Sequence, residues 1–211
     1  MKSLITEREV LEAVKKGNKT ITVTKNTLVS PLAKDTAKQH GVIFTETSTT
    51  MPEFKSEGNF SIRRIVIGND HSAVAVKNLI KDYLLSIGLE VFDTGAIDNT
   101  PCDYPDIAAQ TVRVFFEKKA SFAFLIDAVG NASAMTANKF KGIRAAVCFN
   151  EFSARSAREH NNANVLALGA KALGDETIIS IVKAWLTTAY AGGRHQKRLD
   201  KLTIIEAEKL K

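Results

Sequence analysis

The chain carries 211 residues, 45% hydrophobic and 25% charged, with 29 Lys and Arg against 23 Asp and Glu. That is room for one sizeable core, or for one core and a small accessory unit, and no apolar run reaches the ~18 residues that span a bilayer. The net charge of +6 suits a small anionic substrate, whereas nucleic acid is a poor fit, because the basic residues are dispersed and no RNA-binding aromatic motif accompanies them.

Met1 to Glu12 alternates charged and apolar residues without the apolar centre of a signal peptide, so a cytosolic (cytoplasmic) protein is expected. Thr6-Glu7-Arg8-Glu9 reads as a capping box that opens a helix to about Lys16, closed by Gly17. Thr20 to Thr24 is β-branched and reads as a strand. Ser30-Pro31 starts a second helix, to about His40, with Ser at the cap and Pro at the first helical position. Val42 to Phe44 is a short strand. This small unit, residues 1–45, is followed by a stretch rich in Thr, Ser, Pro, Glu and Lys over 46–61, read as a linker.

From residue 62 to 211 strand and helix alternate. The expected strands are Arg64 to Gly68, Leu89 to Phe92, Ser121 to Ile126, Arg144 to Phe149 and Val165 to Gly169. Helices are expected around Val76 to Ile87, Pro105 to Lys118, from Ser133, Glu151 to His160, Glu176 to Tyr190, and from Arg194 onward. This order predicts an α/β fold, a Rossmann-like doubly wound parallel sheet with helices on both faces, beside the small N-terminal α/β module. Ligands of such sheets sit at the carboxyl ends of the strands. Trp185, Phe115, Phe116 and Phe122 read as core.

Four places could carry chemistry. Asp70-His71 follows the first strand of this domain and suits sugar hydroxyls or proton handling, or else an Asp cap beside an exposed His. Asp127 ends the central strand before Ala128-Val129-Gly130-Asn131-Ala132-Ser133. It is either a base beside an anion-stabilising loop or a cap on the next helix. Arg155 and Arg158 precede His160 on one helix and read as a solvated charged face. Arg194 and Arg198, four apart on one helix after two glycines, could clamp a phosphate or form a basic tail. Cys102 and Cys148 stand outside any CxxC pair and the four histidines are scattered, so free thiols are expected rather than a zinc site.

Together the strings Gly68-x-Asp70-His71, Asp103-Tyr104-Pro105-Asp106, Ala137-Asn138-Lys139-x-x-Gly142-Ile143-Arg144-Ala145, Ser153-Ala154-Arg155, Arg158-Glu159-His160-Asn161-x-x-Asn164-Val165-Leu166 and Gly192-Gly193-Arg194-His195-x-x-Arg198 run in order. In order and spacing they resemble the sugar-phosphate isomerases that include type B ribose-5-phosphate isomerase and the galactose-6-phosphate isomerase subunits. The resemblance implies aldose–ketose isomerisation through an enediolate, with no metal or organic cofactor. His160 would assist ring opening. Asp70, Tyr104 and Asn161 would contact sugar hydroxyls, with Gly130 and Asn131 in the loop against the sugar. His71, Arg194, Arg198 and Lys171 would hold the phosphate. It also implies a homodimer with sites shared between subunits; pairing of dimers into tetramers stays open.

The loop departs from that pattern. Many relatives place Cys-Gly-Thr-Gly where this chain has Asp127-Ala128-Val129-Gly130, and the Cys is their base. Another branch places a Glu after Gly-Asn-Gly, where this chain has Ser133. Either Asp127 replaces the thiol, or the chain binds a sugar phosphate without turning it over. In the N-terminal module, Ile5-Thr6-Glu7 and Thr27 to Ala33 resemble front segments of proteins from bacterial microcompartment operons. That likeness implies an adaptor for a shell or enzyme partner; the alternative is an extension that packs on its own dimer.

Overall fold

The chain divides into two units, Met1–Glu53 and Phe54–Lys211, in a computed structural model that describes residues 4–23, 27–46, 62 and 64–209. The expected linker, 46–61, falls almost wholly outside the described residues.

In the N-terminal unit β1 (Leu4–Ile5), α1 (Glu7–Lys15) and β2 (Thr20–Val23) are followed by β3 (Leu28–Val29), α2 (Pro31–Gln39) and β4 (Ile43–Glu46). Glu9 accepts from the Thr6 N–H at 2.8 Å and from its hydroxyl, as the capping box requires. Ser30 Oγ accepts from the Ala33 N–H at 3.2 Å. The two-residue strands β1 and β3 are too short for a periodic signal. They pair in parallel, Leu4 with Leu28 and Ile5 with Val29, while β2 pairs in parallel with β4. One sequence offset relates Leu4 to Leu28, cap Thr6 to cap Ser30, α1 to α2, and Gly17 to Gly41. The unit is thus a β-α-β element repeated, closed over Val10, Ala33, Ala37 and Val42.

The larger unit runs β5 (Arg64–Asn69), α3 (Val74–Ser86), β6 (Glu90–Asp93), α4 (Tyr104–Glu117), β7 (Phe122–Asp127), α5 (Asn131–Ala137), β8 (Ala145–Val147), α6 (Glu151–Asn161), β9 (Val165–Gly169), α7 (Asp175–Thr187) and α8 (Gln196–Lys209). The sheet is parallel throughout, in the order β6-β5-β7-β9-β8. Strand alternation divides its two faces. Ile65, Ile67, Phe122 and Phe124 pack with α3, α6 and α7 around Ile80 and Trp185. Val66, Ala123 and Leu125 pack with α4 and α5 around Val112 and Phe115. After β5 the chain adds β6 on one side and β7 on the other. The carboxyl ends of β5 and β7 therefore flank the switch point where such sheets take their ligand.

Three expectations needed correction. Phe116 is half exposed, because α4 presents only the Phe115 side of its last turn to the sheet. α7 stops at Thr187, where Thr188 turns to extended backbone, and does not reach Tyr190. β8 keeps three residues, Ala145–Val147, as an edge strand paired on one side only. Among the described residues no helix is long and apolar enough to cross a membrane.

Candidate active site

One group of side chains gathers at the carboxyl edge of the sheet. The Asp70 N–H donates to Ile126 O at 3.1 Å, which ties the end of β5 to the end of β7. Asp70 Oδ1 accepts from the Ser72 N–H at 2.9 Å and its hydroxyl at 2.6 Å, capping the 3-10 turn His71–Ala73. His71 is half-buried, and its Nδ1 accepts from the Cys102 N–H at 3.3 Å, with Cys102 Sγ at 3.9 Å. Its free nitrogen, Nε2, carries the proton in the neutral ring. Tyr104 opens α4 and is exposed.

Asp127 ends β7 and is 3% exposed. Its Oδ1 accepts from the N–H groups of Val129, at 2.9 Å, and of Gly130; its Oδ2 accepts from the Ser133 N–H at 2.9 Å. The carboxylate therefore organises the whole turn into α5. Gly130 takes φ +85°, which an L side chain resists, and a Cβ on Gly169 would lie 2.8 Å from Val129 Cα. Those two glycines let the turn lie against β9. Asn131 is exposed at the first position of α5. Lys171 is exposed beyond β9, its N–H donating to Ala128 O at 3.0 Å, beside the Ala170 N–H on Asp127 O at 2.8 Å. Asp70, Asp127 and Lys171 are thus stitched together by backbone bonds.

A second group lies at the opposite edge. α6 runs back from the end of β8, so His160 and Asn161 at its last turn stand near the amino end of β9. α7 likewise delivers the 3-10 turn Gly193–His195 there, and the Ala191 N–H donates to Glu159 O at 3.0 Å. The rings of His160 and His195 stack with centroids 4.4 Å apart and planes 10° apart. Arg194 Nε lies 3.5 Å from His195 Nε2. Arg194 belongs to the 3-10 turn and Arg198 to α8, so they do not share one regular helix as their spacing suggests. His195 is buried, and burial together with His160, Arg194 and Arg198 holds its pKa below the ordinary imidazole value.

The five residues of β9, at about 3.3 Å each, set these two groups on the order of 15 Å apart. That is far beyond hydrogen-bond reach of ~3 Å. Within one chain Asp127 and His160 do not meet.

Arg158 corrects another expectation. It is 2% exposed, not part of a solvated face. Its guanidinium stacks 4.4 Å from the Phe122 ring and 5.7 Å from Trp185, and Nη1 donates to Ala163 O at 2.6 Å and to Asn162 Oδ1 at 3.2 Å. Burial, and then Arg144, lowers its pKa to about 10. It anchors the left-handed turn at Asn162 that ends the helix carrying His160. Asn138 and Asn164 are likewise structural: each side-chain amide bonds backbone across the β8 edge, Asn138 to Ala145 and Asn164 to Gly142 and Arg144. His195 and Cys102 escaped sequence reasoning as site residues. The signal for His195 was its place between Arg194 and Arg198.

Known proteins match the larger unit in sequence and fold. A putative sugar phosphate isomerase of Rickettsia bellii is 41% identical over 138 residues, 65% of this chain and 96% of the relative. Ribose-5-phosphate isomerase B of Escherichia coli is 39% identical over 145 residues, 69% of this chain and 97% of its own. The structure of ribose-5-phosphate isomerase B from Clostridium thermocellum superposes with a TM-score of 0.67 at 39% identity, covering 69% of this chain and 98% of that one. Residues 65–202 match the Ribose/Galactose Isomerase family, and the chain belongs to it.

Proposed function

We propose that the chain isomerises a phosphorylated sugar between aldose and ketose, ribose 5-phosphate and ribulose 5-phosphate or a related pair, through an enediolate, with Asp127 as the base. The observation that carries this is the anchoring of Asp127. An ionised carboxylate has about four lone-pair sites, and three backbone N–H groups occupy three of them. One lone-pair site on Oδ2 carries no backbone N–H, and its position is fixed by the other three bonds, as general-base chemistry needs. Those N–H groups, however, are then spent on Asp127 and not on the developing oxyanion. Removing one such donor costs on the order of 10²–10³ in rate, so turnover is expected to be slow.

The remaining roles follow the two groups. Asp70 and Tyr104 take sugar hydroxyls, and His71 and Lys171 add charge or donors at the carboxyl edge. His160 opens the ring with Asn161 on a hydroxyl, while Arg194 and Arg198 hold the phosphate. The ~15 Å between the groups supports a homodimer in which each site draws one group from each copy. A second reading, a silent sugar-phosphate-binding or scaffolding homologue, is favoured by the burial of Asp127. For the N-terminal unit we propose docking to a microcompartment shell or enzyme partner, supported by exposed Leu28, Leu32 and Ile43.

Deuterium wash-in at C1 and C2 of ribose 5-phosphate and of hexose 6-phosphates, in D₂O, tests the reaction. Exchange that disappears in Asp127→Asn supports the base. Measurable binding with no exchange on any sugar overturns isomerisation and leaves the silent reading.

A further inference from the structure

His195 sits where an imidazole is poorly served. The residue is 7% exposed, and Nδ1 is buried without a hydrogen-bond partner. Its Nε2 faces the Nε–H of Arg194 at 3.5 Å, at the long limit of a hydrogen bond. Since a guanidinium only donates, Nε2 is the acceptor and the proton of the neutral ring is on Nδ1. The charged and titratable groups around it are Arg194 and Arg198 on its own segment and Glu159 and His160 from α6. Two guanidinium groups and a stacked second imidazole oppose a charge on His195; only Glu159 favours one.

A phosphate dianion reverses this balance. Arriving between Arg194 and Arg198, it offsets both positive charges and offers oxygen acceptors. The Arg194 Nε–H turns to an oxygen, and Nε2 loses its weak donor and gains the chance to become one. We propose that phosphate binding drives proton uptake by His195, so that this residue becomes a third charged donor to the phosphate and the site takes its ligand together with a proton. The proton comes from solvent and is bound at Nε2; no bond of the sugar changes. The consequence is a ligand affinity that falls as pH rises through and above the ordinary imidazole range, about 6.5. A second consequence is that the stacked His160 is covered by a charged ring only while phosphate is bound. The proposal rests on the phosphate assignment of Arg194 and Arg198.

The test is titration calorimetry of the full chain with ribitol 5-phosphate, a polyol that cannot isomerise, at pH 7.5. A phosphomonoester with a second pKa of about 6 is already dianionic there. Heats measured in two buffers of different ionisation enthalpy give the number of protons taken up. Net uptake of up to one proton per ligand is expected, absent in His195→Phe, which keeps an aromatic ring on His160. Binding without proton uptake overturns the proposal and leaves the phosphate site standing. No binding at all overturns the phosphate assignment and this proposal with it. Should His195→Phe not fold, nitrogen NMR of histidine rings in the unaltered protein reads the same event. The His195 signals must move to those of an imidazolium on ligand addition, and fixed signals refute it.

Discussion

Asp127 and Ser133 face each other across the loop, the Ser133 N–H donating to Asp127 Oδ2 at 2.9 Å. These are the two positions at which the sequence resemblance implies a base in the two branches of the family. In this chain one holds a carboxylate that is bound by the backbone of the other. Asp127 is therefore expected to act on stability as well as on chemistry. Asp127→Ala leaves three buried or half-buried N–H groups without their acceptor, at roughly 1–3 kcal/mol for each fully buried one. Chemical denaturation should show a loss of several kcal/mol; an unchanged midpoint would mean that the loop is held by other contacts. Asp127→Cys should lower stability too, yet raise the exchange rate in D₂O, because it frees the N–H groups for the oxyanion.

Arg158 gives the second prediction. Truncation to Ala removes a guanidinium stacked on Phe122 and leaves Ala163 O without its 2.6 Å donor. The cost is expected at about 3–5 kcal/mol, from lost packing and an unsatisfied carbonyl. Arg158→Lys should recover part of it, since a point charge still reaches the ring but not both oxygens at once. Thermal melts of the two variants check the order.

How much of this was legible beforehand depends on the range of the signal. Caps at Thr6 and Ser30, the strands of the sheet and the helix periods are local, and their residues announce them. Arg158 was misread because a charged residue on an amphipathic helix reads as exposed; what buries it is Phe122 and Trp185, distant in sequence. The Asp127 turn carries two readings in the sequence, a cap and a base, and its three N–H bonds are those of the cap. The separation of the two groups, on the order of 15 Å, is invisible to motif spacing, because spacing along a chain says nothing of which sheet edge a loop returns to.

The two thiols should separate cleanly. Burial pushes the Cys148 thiol up to about 11, against a weaker pull from Ser153, whereas Cys102 is partly exposed beside His71. At pH 8 a thiol reagent should label one cysteine quickly and the second only on unfolding. Since His71 belongs to the carboxyl-edge group, ribitol 5-phosphate should slow the labelling of Cys102. Equal rates at both thiols would contradict the burial.

Lys77 and Asp93 fix the end of β6. Lys77 is 2% exposed and its Nζ lies 3.1 Å from Asp93 Oδ2 and 2.9 Å from Ala96 O, with Lys81 on the same carboxylate at 2.8 Å. Burial alone raises the Asp93 pKa, but Lys81, the Gly95 N–H and Lys77 together carry it below the usual value. A carboxyl depressed in the folded state contributes stability that is present above its unfolded pKa, about 3.9, and lost as pH falls through the folded one. Melting temperatures should therefore drop below about pH 4 more steeply in the unaltered protein than in Asp93→Asn. Parallel curves would assign the acid loss to other carboxylates.

The proposed sharing of the site between two copies can be tested by mixing. α8 leaves Leu202, Ile204 and Ile205 about half exposed, and a cavity of about 510 Å³ opens between it and the β8 edge, lined by Leu199, Leu202, Ile205, Ala145 and Ala163. An apolar helix face and an open sheet edge on one flank suit a second copy. Leu202→Glu with Ile205→Glu should yield a monomer by analytical ultracentrifugation, with exchange lost. Asp127→Asn and His160→Asn are each expected to be inactive alone. Unfolded together and refolded, they form mixed dimers in which one site has both lesions and the other has neither, so about a quarter of the original exchange returns under two-fold symmetry. A site contained in one chain predicts no recovery, since every chain then carries a lesion in its own site.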